Sequence, residues 1–179
     1  LVRPEAGRKL IDNIQRVYDA DFSVIVYNFL DILSHARTET DIIRDLTEDD
    51  ASFRSLTRSW FEHSELFTIL KMLSETGHTV IITSDHGTVR VDNPIRITGD
   101  KATSSNLRYK TGRNLAYNHR EVFEITKPEE IQLPSGNLSS SYIFAYNHDF
   151  IVYHNDANKY IRYYRDTFQH GGISMEEMI

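Results

Sequence analysis

The chain of 179 residues has no cysteine, and that one absence removes disulfides, thiolate-ligated zinc and thiol nucleophiles together. It fits a reducing cytoplasm, which is the expected location. No apolar run approaches the ~18 residues of a spanning helix, and no signal-peptide pattern opens the chain, so no membrane partner is expected. A basic surplus is lacking as well: 20 Lys and Arg face 26 Asp and Glu, for a formal charge of −6. No global field therefore advertises nucleic acid or anionic lipid, although a local basic pocket for a phosphorylated substrate is compatible with this balance. What remains is ordinary. A 40% hydrophobic, 26% charged chain of this length reads as about one soluble globular domain.

Eight histidines and the many carboxylates are then the available metal ligands. Residues 4–20 place Leu10, Ile11, Ile14, Val17 and Tyr18 at helical spacing. "FSVIVYNFLD" (22–31) is nearly continuously apolar and β-branched, the pattern of a strand buried on both faces. A polar stretch over 35–57 reads as a loop with short helical pieces. The spacing of Trp60, Phe67, Leu70 and Leu73 predicts a helix over 58–76 closed by Gly77, and "HTVIIT" then predicts a second strand. Strand, helix, strand is a βαβ pattern, and the expected fold is α/β with a mainly parallel sheet flanked by helices.

Downstream, "TVRV-DNP-IRIT" (88–98) and "YIFAYNHDFIVYHN" (142–155) each predict a β-hairpin. The polar segment within 88–141 reads as an insertion or lid. Ser174, followed three residues later by Glu177, is a capping box that opens a helix. The chain opens on a helix and stops within another, which predicts a piece of a longer polypeptide.

Ligands in open α/β sheets bind beyond the carboxyl ends of the strands. The first predicted strand runs into Asp31, with His35 four residues on ("DILSH"). The second runs into Asp85–His86 ("IITSDHGT"). His170 precedes Gly171–Gly172, where small residues let a backbone approach closely. Each feature has a plain structural reading, an Asp turning the chain or a His satisfied by a carbonyl. Together, oxygen and imidazole donors without thiolate suit zinc or manganese. Glu62 and His63 read as helix surface, His78 as a helix-end residue, and His119, His148 and His154 as structural. Tyr160, Tyr163 and Tyr164 read as packing, with stacking on a base as the alternative.

The ordered set D-x-x-x-H, S-D-H-G and H-G-G resembles the alkaline phosphatase superfamily. More narrowly, "NFLDILSHAR", "SWFEHSELFTIL", "VIITSDHGTVRV" and "RYKTGRNL…QHGGISMEEMI" resemble the PglZ domain, in particular the output domain of PorX-type response regulators linked to type IX secretion in Bacteroidetes. The resemblance implies two zinc ions. It assigns Asp31, His35 and His170 to one, and Asp85 and His86 to the other. It also implies an upstream Asp and a Thr or Ser nucleophile, neither matched in this chain; Thr83 and Ser84 do not stand in the family order for that role. Arg108 and Arg113, flanking Lys110, are candidates for gripping substrate phosphate, against the plain reading of a solvated basic turn. The function implied is a metal-dependent phosphodiesterase on nucleotide-like phosphoesters. The rival reading is a regulatory module whose zinc is structural, with signalling-protein partners and a homodimer formed on phosphorylation. A third is an α/β domain without metal.

Overall fold

The computed structural model describes residues 4–99, 105–112, 114–134 and 141–178. The chain forms two compact units, Leu1–Thr83 and Ser84–Ile179. No helix among the described residues is long and apolar enough to cross a membrane.

The first unit is helical: α1 (Pro4–Asp12), α2 (Gln15–Tyr18), α3 (Phe29–Glu39), α4 (Asp41–Leu46), α5 (Asp50–Glu62) and α6 (Glu65–Glu75). The single helix expected over 58–76 is two, because Ser64 restarts the ladder. Its hydroxyl accepts the Phe67 N–H at 3.1 Å as an N-cap. Asp49 caps α5 in the same way, accepting from the Ser52 N–H at 2.7 Å. The hydrogen bonds from Ser52 hold its carboxyl below the usual range. Leu33, Ile69 and Leu73 form the buried apolar positions, and Phe29 stacks on Trp60 with centroids 4.0 Å apart. Arg37 is buried and donates to the Thr47 carbonyl at 2.8 Å, so it satisfies the end of α4.

Neither expected strand of this unit forms. Residues 22–28 and 78–84 carry no regular secondary structure, and no sheet includes them among the described residues. Their β-branched content expresses a fit to a pleated, half-buried surface and does not itself supply a pairing partner.

The second unit carries the strands: β1 (Val89–Val91), β2 (Asn93–Ile97), β3 (Tyr109–Gly112), β4 (Val122–Ile125), β5 (Ser141–Ala145), β6 (Asp149–Tyr153) and β7 (Thr167–Gln169), with α7 (Ala157–Tyr164) between the last two. Both predicted hairpins exchange partners. β1 pairs antiparallel with β7, β2 pairs parallel with β6, and β5 lies antiparallel between β3 and β4. One residue, Asp92, separates β1 from β2, too short for a two-residue hairpin turn. Its N–H instead donates to the His148 carbonyl at 2.9 Å and aims β2 along β6. The mainly parallel sheet expected is thus replaced, among the described residues, by small mixed sheets, of which β2–β6 is the parallel pair.

Strand β6 divides the core. Phe150 and Val152 pack with Val89, Val91, Leu107 and Ala157. Ile151 faces Ile95, Ile97, Val122, Ile143 and Ala145. The unbroken apolar run "FIV" is that of a strand covered on both faces.

Candidate functional site

In the first unit, Asp31 and His35 lie four residues apart on α3, so helical geometry sets them on one face. Asp31 Oδ1 and His35 Nε2 are 3.4 Å apart, and both side chains are more than half exposed. Two donors each about 2.0–2.1 Å from a tetrahedral ion sit roughly 3.3 Å apart. The pair therefore has the spacing of one edge of a metal site.

In the second unit, long-range pairing does the placing. Val89 pairs with Gln169 in the β1–β7 ladder, so the residues just before β1 meet those just after β7. His86 and His170 are brought together there, their rings stacked at 3.8 Å and within 8° of parallel. The nitrogen lone pairs lie in the ring planes, so parallel rings cannot both aim at a single ion. They can present one donor each to two ions about 3.5–4 Å apart, the usual spacing of a two-metal site.

Local bonds set the His86 tautomer. Its Nδ1 lies 3.0 Å from the Gly87 carbonyl, which can only accept; in the neutral ring the proton is then on Nδ1 and the lone pair on Nε2. Asp85 Oδ1 is 3.8 Å from that Nε2, too far for a hydrogen bond and wide enough for a bridging cation. Gly87 is required by the close approach of the chain: a Cβ there would lie 1.9 Å from the Glu176 carbonyl oxygen. Ser84 donates to the His86 carbonyl at 3.0 Å and so supports the turn.

Among the described residues, no three His, Asp or Glu side chains form a ready cluster for a metal ion. The donors occur as pairs, and the spacing of Asp31 with His35 is the one that matches two ligands of a single tetrahedral ion.

Arg108 departs from its expected role. It is fully buried rather than part of an open basic loop, and its guanidinium pairs with Glu177. Nε donates to Glu177 Oε1 at 2.8 Å and Nη2 to Oε2 at 2.8 Å, while Nη1 donates to the Asp149 carbonyl. A guanidinium occupied in this way has no face to offer a substrate phosphate. Burial alone would raise the Glu177 carboxyl; hydrogen bonds from Arg108, Ser174 and the Gly172 N–H overcome it and hold the group below the usual range. Arg113 lies outside the described residues.

The sequence signalled Glu177 only through the capping box. That pattern is present, closing a single 3-10 turn over Met175–Glu177. Nothing local to it pointed to Arg108. His63 donates from Nδ1 to the Ser59 carbonyl at 2.7 Å, one turn back in the chain, and His148 donates from Nδ1 to the Arg90 carbonyl at 2.8 Å. His63 is exposed, as its reading as helix surface expects, and His148 fits its structural reading. Tyr164 packs against the core, as the packing reading expects, whereas Tyr160 and Tyr163 are exposed and Tyr160 stacks on Tyr164.

A comparison with curated proteins found no match. A family model does match, the BREX system PglZ alkaline phosphatase-like domain, over residues 2–179. With nearly the whole length covered, the chain belongs to the PglZ family of alkaline phosphatase-like domains.

Proposed function

We propose that the protein is a metal-dependent phosphoesterase, acting as a phosphodiesterase on nucleotide-like substrates with two zinc ions. The ligands in this reading are Asp31, His35, Asp85, His86 and His170. The observation that carries it is the parallel stack of His86 and His170 at 3.8 Å, which suits one imidazole per ion. The family supports the reaction class, since its alkaline phosphatase-like character implies phosphoester hydrolysis.

A bound metal pair supplies a lowered pKa for the attacking group and positive charge beside the leaving oxygen. The residues of this chain do the positioning. The Gly87 carbonyl holds the Nδ1 proton of His86, which keeps Nε2 a donor. Asp85 and Asp31 contribute negative charge that favours a cation beside each histidine. Service as the output domain of a response regulator in type IX secretion is a further proposal, supported by the resemblance of the quoted motifs.

The test measures metal content and hydrolysis of bis-p-nitrophenyl phosphate on the same purified samples of the intact protein. His86→Ala and Asp31→Asn are expected to lose metal and turnover together, by more than the roughly 10–100-fold typical of removing a ligand's hydrogen-bond partner. Full turnover by metal-stripped protein would refute the reading.

A further inference from the structure

The second unit contains a buried ion pair that the proposed chemistry does not use. Three segments converge on Glu177. Its backbone carbonyl accepts the Gly87 N–H at 3.1 Å, directly after His86. Its carboxylate accepts the Gly172 N–H at 2.9 Å, two residues after His170, and the Ser174 N–H at 3.2 Å. The Ser174 hydroxyl also donates to that carboxylate. Arg108 closes the arrangement with its two-point contact from the segment leading into β3, and its Nη2 donates to the Ser174 hydroxyl at 2.8 Å. The side chains of both ion-pair partners are essentially excluded from solvent, at 0% and 1% exposure.

The same segment makes a second tether. Asn106 donates from Nδ2 to the His170 carbonyl at 3.1 Å, while its Oδ1 accepts the Arg108 N–H at 2.7 Å. The backbone just after His170 is thus bonded to the carboxylate of this water-excluded fork, and the backbone just after His86 to the main chain of the fork's Glu177. A buried, bidentate pair of this kind is costly to form, and similar stability is often reached with apolar residues. It is better suited to fixing geometry, because a guanidinium–carboxylate fork sets direction as well as distance.

We infer that Arg108 and Glu177, with Asn106, are positioning residues that hold the imidazoles of His86 and His170 in their parallel stack. The consequence for metal binding rests on the two-metal reading above. The placement of the rings does not. Gly172 belongs to the same device: a Cβ there would lie 2.6 Å from Glu177 Oε2 and 2.9 Å from the Arg108 guanidinium, so a side chain would push the His170 segment off the fork.

The experiment uses the whole chain and two readouts: zinc affinity by competition with a chromogenic chelator, and the ring-proton resonances of His86 and His170 by NMR in metal-free protein. Stacked rings shift each other's protons, so these resonances report the stack directly. The double variant Arg108→Met/Glu177→Leu replaces the pair with apolar side chains and is expected to fold with an ordinary melting transition. It should bind zinc about 10–100-fold more weakly, with both sets of ring resonances moved toward unstacked positions. Asn106→Ala should move the His170 resonances more than those of His86, and this decides the matter if the double variant does not fold. Unchanged ring resonances in a folded double variant, or in Asn106→Ala where the double variant fails, would overturn the inference. Wild-type protein that takes up no zinc would sink the metal reading alone, with the resonances still deciding the positioning claim.

Discussion

The two units treat apolar, β-branched sequence in opposite ways. In the first, Phe22, Val24, Ile81 and Ile82 are 84%, 72%, 85% and 73% exposed, and no strand forms around them. In the second, Phe150, Ile151 and Val152 are at most 2% exposed and form the central strand of two cores. The local sequences are similar in character, so composition does not separate them. What separates them is a partner: β6 has β2 alongside and side chains on both faces, whereas 22–28 and 78–84 have no ladder among the described residues. A strand is a property of a pair of segments, and a helix is a property of one.

The largest effect that sharpens this contrast is expected at Phe150. Its ring is fully buried against Val89, Val91 and Leu107, so Phe150→Ala removes transfer energy and leaves a cavity. The expected cost is about 3–5 kcal/mol, read as a lowered urea midpoint with an unchanged slope. A loss below about 1 kcal/mol would mean that the second unit's core does not govern its stability.

A smaller effect, visible through pH, comes from Lys110 in β3. Burial pushes its ammonium down to about 8 from the ordinary 10.5. Its Nζ lies 5.1 Å from the centroid of Tyr153, a cation–π contact that offsets part of the desolvation. Between pH 8 and 10.5 the unfolded chain then binds more protons than the folded one, so stability should rise with pH across that window. Lys110→Met should flatten the rise, and at pH 7 the variant should be more stable, by up to about 3 kcal/mol. Denaturant midpoints measured from pH 7 to 10.5 check both statements. A slope that is the same in wild type and variant would assign the rise elsewhere.

These contrasts also explain what was legible in the sequence. Helical periodicity around Leu10 and Leu73 located helices, since hydrogen bonds within one segment make them; the breaks at Asn13–Ile14 and Ser64 were the finer detail. The strands around Val91, Ile95, Ile143 and Ile151 were legible too. Their partners were not, because pairing depends on contacts far apart in the chain. Among the candidate ligands, the four-residue spacing of Asp31 and His35 was legible, but the helix that carries it was not, since Asp31 was expected at the end of a strand and His35 in a loop. The meeting of His86 with His170 depends on the Val89–Gln169 register, and their proximity was implied by family resemblance rather than by any local signal. Arg108 was misread for the same reason. A guanidinium in a polar stretch looks solvated until the distant Glu177 that buries it is in place.

The smallest expected effect tests the exposed side of the comparison. Ile81→Ser changes a side chain that is 85% exposed, in a segment without a ladder. Surface substitutions of that kind usually move stability by no more than about 0.5 kcal/mol, an order below the expected loss at Phe150. The residue is nonetheless β-branched and flanked by Val80 and Ile82, so the stretch has the composition of a strand that could be covered. The two conditions differ in size. If the segment stays open, Ile81→Ser is silent in thermal melting and reduces only the binding of an apolar dye such as ANS. If it is covered in solution, burying an unpartnered hydroxyl costs at least about 1–3 kcal/mol, and the melting temperature drops accordingly. A silent substitution keeps the contrast between the units as a difference in pairing. A costly one would mean that both apolar runs are buried strands, and that the same rule built both units.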